Sequence, residues 1–287
     1  MSLSILTVHA HPDDESSKGP GTINMYSSQG IRTTLVCCTG GEVGDILNPA
    51  MDRTEVRENL ASVRRAELDS AAAIIGYDEV VMLGYRDSGM PDSDHNQHPE
   101  AFANAELDTA VERLVKIIRR VRPQVIVTYP EVQSRYPHPD HLQVTAVSFP
   151  AYERAGDPDW YPEAGPPHEP SKLYAPVWSR QRLLRVHQAF LDRGLKSPYD
   201  KKWLSGRDRD DRITAVIKVD NAVRRKALLA HATQVDPESP FWFGLPDAVQ
   251  DAIHPYEEYM LLRSRVATEE IEDDLFAGLR HLDGGTG

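Results

Sequence analysis

Short apolar runs alternate with longer amphipathic stretches through the first half of the chain, an order that predicts a parallel sheet covered by helices. Ser4 to Val8 reads as the first strand and ends at a polar, proline-containing turn. A helical segment follows from about Ser16 to Gln29, with Gly30 placed to terminate it. Thr33 to Cys38 repeats the strand pattern before Gly40 and Gly41 open a loop that reaches about Asp52, a length usually reserved for functional or mobile segments. Leu60, Val63, Leu68, Ala71, Ala72 and Ile75 recur at near-helical spacing, so the pattern predicts a helix over Arg57 to Ile75 with Gly76 as its C-cap. Glu79 to Leu83 and Val125 to Tyr129 supply two more strands on either side of an amphipathic helix over Ala105 to Val121.

The second half is less regular. Residues 156–170 are dense in proline, glycine and acidic side chains and mark a surface excursion. Beyond them the pattern predicts strands at Leu173 to Val177 and Thr214 to Val219, and helices over Arg180 to Arg193, Ala222 to Thr233 and Ala248 to Val266. After Ala267 an acidic run ending in Asp-Gly-Gly-Thr-Gly predicts a frayed, flexible tail. The expected fold is α/β: a Rossmann-like, mostly parallel sheet flanked by helices, with a mixed α/β C-terminal half. Its expected divisions are a catalytic core over 1–155, a portion over 156–266 that completes the same domain and the substrate pocket, and the tail over 267–287.

Composition narrows the function classes. The 287 residues suffice for a sizeable core, and a formal charge of −12 repels phosphate backbones and anionic lipid, which argues against nucleic acid and membrane partners. No apolar run approaches the roughly 18 residues needed to cross a bilayer, and Met1 to Ala10 lacks a basic n-region and a cleavage site, so a cytoplasmic location is expected. Cys37 and Cys38 are neighbours inside an apolar run, where buried packing is the better reading and a disulfide framework is excluded. The sequence is compatible with a homo-oligomer and does not fix the oligomeric state.

In an open parallel sheet the loops beyond the carboxyl ends of the strands meet in one crevice, so polar residues there are examined first. The first strand runs into His9-Ala10-His11-Pro12-Asp13-Asp14-Glu15, and the fourth into Tyr136-Pro137-His138-Pro139-Asp140-His141. Each cluster alone has an ordinary explanation, since His, Asp and Pro are common in turns and Asp14 or Glu15 could simply support a helix start. Together they offer His11, Asp14 and His141 as three nitrogen and oxygen ligands for a divalent ion such as zinc, with one position left open. Asp13, beside a ligand but not itself one, could then take a proton from the attacking water.

These segments resemble a known family. His-Pro-Asp-Asp-Glu at 11–15, Thr39-Gly40-Gly41-Glu42 and His-Pro-Asp-His at 138–141 are similar to motifs of the LmbE-like zinc N-deacetylases, and the likeness runs along most of the chain. Gly44 to Ala50, Arg86-Asp87-Ser88-Gly89 and His231-Ala232-Thr233-Gln234 resemble that family's mycothiol branch. The branch implies one of two amide hydrolyses on a small glucosaminyl-inositol substrate: cleavage of a mycothiol S-conjugate, or deacetylation of N-acetylglucosaminyl-inositol. Val8 to Gly19 and Ile46 to Asp52 are closer to the first, with Lys18 weighing most as a cation able to contact substrate. The resemblance implies one Zn2+ on His11, Asp14 and His141, with Asp13 as general base. It also implies that His138 stabilises the oxyanion and protonates the leaving amine, that Asp140 holds the His138 ring charged, and that Tyr136 polarises the carbonyl. Glu42, Arg64 and Asp87 correspond to groups that bind sugar and inositol hydroxyls. His9 is expected to support the site without ligating. His231 and Gln234 lie near the pocket without an assigned role, and His95 and His98 are expected in a solvent-exposed loop.

Two readings from other classes compete. Two histidines and a carboxylate also make the facial triad of non-haem iron oxygenases, although those favour β-rich scaffolds and need no adjacent base. A non-catalytic sugar or nucleotide module would lack both the glycine fingerprint of dinucleotide folds and a P-loop, and would leave Asp13 without a purpose.

Overall fold

The computed structural model describes residues 2–133, 137–205 and 212–280. In chain order its principal elements are β1 (Ser4–His9), α1 (Asp14–Ser17), α2 (Pro20–Ser28), β2 (Arg32–Thr39), α3 (Thr54–Glu58), α4 (Leu60–Ile75), β3 (Glu79–Tyr85), α5 (Leu107–Val121) and β4 (Val125–Val127). The second half adds α6 (Pro139–Arg154), β5 (Lys172–Val177), α7 (Arg180–Leu191), α8 (Lys201–Leu204), β6 (Ala215–Lys218), α9 (Asn221–Ala230), α10 (Pro240–Phe243), α11 (Asp247–Ile253) and β7 (Tyr256–Ser264). The strands form one sheet in the order β3-β2-β1-β4-β5-β7-β6. Pairs from β3 through β5 are parallel, and β7 runs antiparallel to both β5 and β6.

The α/β class expected from the pattern is what forms. Strand β1 is buried on both faces, as a central parallel strand must be. Leu6 and Val8 join β4's Ile126 in packing against α5 and α6, while Ile5 points the other way toward Ile23, Tyr26, Ala71 and Ile75 of α2 and α4. Cys37 and Cys38 are buried free thiols. Between β1 and β4 the chain order reverses, with β2 and β3 built to one side and β5 onward to the other. Loops leaving that switch point face a common crevice.

The excursion at 156–170 is gathered by a single side chain. Arg119 of α5, almost fully buried, donates to the carbonyls of Arg154, Ala155, Asp157, Trp160, Tyr161 and Gly165 at 2.7–3.3 Å.

Several expectations need correction. The helix expected over 16–29 is two helices, broken where Gly19 takes φ +98° directly before Pro20. The helix expected over 57–75 is likewise divided at Asn59. The helix expected over 248–266 stops at Ile253, because Pro255 ends it, and the remainder is β7. The tail expected to be frayed is docked over its described part: Leu275, Phe276 and Leu279 are fully buried in the second core cluster. Phe276 meets the Tyr26 ring edge-on, and the Glu272 carboxylate is buried on Lys172 Nζ at 2.7 Å. No helix of the described residues is long and apolar enough to cross a membrane.

Candidate metal centre and active site

The two clusters flank the switch point. The first leaves β1, and the second enters the first turn of α6, which follows β4. His138 caps α6, its Nδ1 accepting from the Asp140 N–H at 3.2 Å, and Pro139 occupies the first helical position. Asp13 stands at φ +106°, a left-handed conformation that Asp and Asn tolerate better than other residues with a side chain.

Three candidate ligand atoms converge. Asp14 Oδ2 lies 3.5 Å from His11 Nδ1 and 3.4 Å from His141 Nε2. Ligands at tetrahedral angles about 2.0–2.1 Å from an ion are separated by roughly 3.3 Å, so the donors match a zinc-sized cation in both type and spacing. A second group of donors, His11, Asp87, His138 and Asp140, shares His11 with the first. Its carboxylates are already engaged: Asp140 accepts from the Ser88 N–H at 3.0 Å and from the Ser88 hydroxyl, and Asp87 accepts from Gly89 at 2.8 Å and Val43 at 3.3 Å. In the set His11, Asp14 and His141, which coincides with the ligands expected from the sequence, Asp14 accepts from the His11 N–H through Oδ2 at 3.0 Å and from Lys18 through Oδ1.

Neighbouring groups hold these candidate ligands in place. His11 Nε2, the ring nitrogen turned away from Asp14, meets Asp140 Oδ2 at 3.1 Å, an arrangement that sets the tautomer of a ligating imidazole. Lys18 Nζ bonds to Asp14 Oδ1 and lies 5.4 Å from the centroid of the Tyr129 ring, which stacks on His141 at 4.6 Å. Burial would raise the Asp14 carboxyl, and the charges of Lys18 and His141 override it, holding the group well below the usual carboxylate range. Because Asp140 orients His11, Asp140→Asn should weaken metal binding about 10- to 100-fold, measurable by competition with a chelator. Unchanged affinity would show that this contact is idle.

The structure places Asp13 beside this centre. Arg64 Nη2 donates to Asp13 Oδ2 at 2.9 Å and to the Pro12 carbonyl at 2.6 Å. The Asp13 N–H donates to Glu15 Oε2 at 2.9 Å, and the other Glu15 oxygen meets His231 Nε2 at 2.6 Å. Burial, assisted by the adjacent Asp14 charge, lifts the Asp13 carboxyl above its ordinary value against the pull of Arg64. A raised carboxyl suits a proton acceptor.

Other site residues sit differently from expectation. The Asp140 carboxylate engages His11 and Ser88, the Asp140 N–H meets His138 Nδ1, and the Asp140 charge pulls His138 upward. Burial and the nearby His11 and His141 rings lower His138 to about 4, against the upward pull of the Asp140 and Asp87 charges. Arg64 is buried, donates to Gly41, Pro12 and Asp13, and also lines the cavity, with its Nε lacking a hydrogen-bond partner among the described residues. A side chain at Gly41, whose φ is +65°, would collide with this guanidinium. Glu42 accepts from the Asp87 N–H at 3.0 Å and is absent from the cavity wall. Lys18 lines the cavity while tied to Asp14. Asp87 lines it too, 3.5 Å from His11 Nε2; burial would raise its carboxyl, and His11 holds it below its usual range. Tyr136 lies outside the described residues. His9 is buried with neither ring nitrogen hydrogen-bonded among the described residues, and burial lowers it to about 4.

All of this opens into a cavity of about 820 Å³. Its near end carries the candidate ligands with Asp13 and His138, and Trp178, Trp203, Phe241 and Trp242 also line it. The sequence reading missed this aromatic wall, which combines residues from three separate segments without shared spacing. It also missed Glu15 as the group pinning Asp13, and Tyr129, visible only as the last residue of a strand run.

Comparison with known proteins agrees with the geometry. The family model for PIG-L, GlcNAc-PI de-N-acetylase, matches residues 6–152. The chain is 44% identical to the mycothiol S-conjugate amidase of Streptomyces coelicolor, covering 97% of this chain and 98% of that relative. It is 38% identical to the 1D-myo-inositol 2-acetamido-2-deoxy-alpha-D-glucopyranoside deacetylase of Geodermatophilus obscurus, again over 97% and 98%. Among solved structures, N,N'-diacetylchitobiose deacetylase from Pyrococcus horikoshii shares the fold at a TM-score of 0.61 and 17% identity, over 91% of this chain and 84% of that one.

Proposed function

This chain belongs to the PIG-L, LmbE-like family of de-N-acetylases and amidases, and from that premise we propose a zinc-dependent hydrolase that cleaves the amide of a mycothiol S-conjugate. The bond cut joins glucosamine to the N-acetylcysteinyl group, releasing a mercapturic acid and glucosaminyl-inositol. Membership makes the protein a hydrolase of C–N bonds and sets the iron-oxygenase and binding-module alternatives aside.

His11, Asp14 and His141 would hold the ion. A divalent zinc ion supplies Lewis acidity, making water easier to deprotonate and the scissile carbonyl easier to attack. Asp13 accepts the proton of the attacking water, with Arg64 and Glu15 fixing its direction. His138, at the capped start of α6, faces the same cavity from the other cluster and serves the oxyanion and the departing glucosamine nitrogen. Lys18 holds the Asp14 carboxylate in its ligating orientation.

The observation carrying the amidase reading over deacetylation is the aromatic wall. An acetyl group has two carbons, whereas Trp178, Trp203, Phe241 and Trp242 offer apolar surface suited to the larger substituent on a conjugate's sulfur. The higher identity to an amidase supports the same choice. Deacetylation of N-acetylglucosaminyl-inositol remains the second reading, since the reacting groups would serve it equally and a deacetylase is also a full-length relative. Purified protein should hydrolyse a bimane-labelled mycothiol conjugate with kcat/KM at least about tenfold above that for N-acetylglucosaminyl-inositol, the scale of one well-filled apolar pocket. Dominant acetate release would overturn the amidase assignment and leave the hydrolase class intact.

A further inference from the structure

Behind the aromatic wall lies a second hollow of about 60 Å³, which shares Trp178, Phe241 and Trp242 with the catalytic cavity. Two guanidinium groups enter it from α7 and α9. Arg182 Cζ lies 4.7 Å and Arg224 Cζ 5.1 Å from the centroid of the Trp178 ring, and Arg224 Cζ is also 5.5 Å from that of Trp242. Among the described residues neither guanidinium has a carboxylate oxygen within 4 Å or a hydrogen-bond partner. Arg225, the next residue along, does have carboxylate partners, lying 3.2 Å from Asp247 and 2.7 Å from Asp251.

The nearby acids are committed elsewhere. Glu257 accepts from the N–H groups of Gly21 and Thr22, and Glu258 accepts from the Ser179 N–H at 3.1 Å and stands 3.6 Å from His254 Nε2. Among the described residues, Arg224 Nε and both ring nitrogens of His254, which also lines the hollow, are buried without a hydrogen bond. Burial, with the Arg182 charge beside it, lowers Arg224 to about 9, and burial with the surrounding arginines lowers His254 to about 3. Two like charges held close in a partly buried hollow are costly unless an opposite charge joins them.

We propose that this hollow is a binding site for a small oxyanion, a carboxylate or a phosphate, held between Arg182 and Arg224 with His254 as a further donor. A planar guanidinium presents paired N–H groups matched to such oxygens, and the volume limits the ligand to a few heavy atoms. Because three aromatic rings separate this hollow from the catalytic cavity, the anion also braces the wall that faces substrate. The site stands on these contacts alone and is independent of which amide the enzyme prefers.

Inorganic phosphate titrated into the metal-loaded full chain at constant ionic strength should give a saturable change in tryptophan fluorescence, with acetate tested in a parallel series. Response to phosphate or to acetate identifies which oxyanion the site takes. Arg224→Gln should weaken the affinity about tenfold or more, and Lys226→Gln, the same charge change at an exposed position of α9, should leave it unchanged. Should Arg224→Gln fail to fold, Arg182→Lys tests the same point by keeping the charge and removing the fork. No saturable response to either anion, or one that the arginine variants leave intact, overturns the proposal.

Discussion

Asp13→Asn will lower turnover by about a hundredfold or more while metal content stays at the wild-type level, the usual scale for loss of a general base. Asn is the right probe because it can occupy the left-handed backbone at φ +106° and still accept the Arg64 hydrogen bond through its carbonyl oxygen. It cannot take up a proton. Asp13→Ala is less informative, since it adds backbone strain and removes one of Arg64's acceptors. His141→Ala is the contrasting case: it deletes a candidate ligand, so metal and activity should fall together. Elemental analysis beside steady-state kinetics separates the two patterns. If Asp13→Asn loses metal as completely as His141→Ala, Asp13 is a ligand and the base lies elsewhere.

Glu272→Ala should cost about 3–5 kcal/mol of stability, because it strands a charge that water cannot reach. The Lys172 side chain is fully buried, and Glu272 answers it at 2.7 Å while also accepting from the Tyr174 hydroxyl. Replacing both partners with apolar residues, as in Lys172→Met with Glu272→Leu, should recover most of the loss, since the expense lies in the unmatched charge. Urea denaturation of the single and double variants measures both. A loss under about 1 kcal/mol for Glu272→Ala would mean the segment after β7 is detached in solution, as its acidic composition suggests.

That segment shows why part of the fold was illegible. Glu269, Glu270, Glu272, Asp273 and Asp274 look alike in sequence, and only the partner on β5, a hundred residues earlier, distinguishes Glu272. The alternating elements of the first half were readable because each is set by local pattern, and Gly76 ends α4 in the left-handed conformation expected of a C-cap. The stretch from Tyr256 was misread because its strand exists through pairing with β5 and β6, which no local window contains. At the centre, residue types and spacing brought His11, Asp14 and His141 forward as candidate ligands, and the two strands they follow are neighbours in the sheet. The reach of long side chains was not. Whether Arg64 extends to sugar or to Asp13, and whether Asp140 turns to His138 or His11, depends on packing that spacing does not encode.

Arg119 carries one more implication. The peptide oxygens it gathers belong to every amino acid, so the excursion past α6 can change its side chains almost freely while keeping its shape. The tolerance belongs to the loop and the constraint to a distant helix: among relatives, the letters of that loop should drift while this one arginine stays, and lysine, with three donors on a single nitrogen, should not replace it.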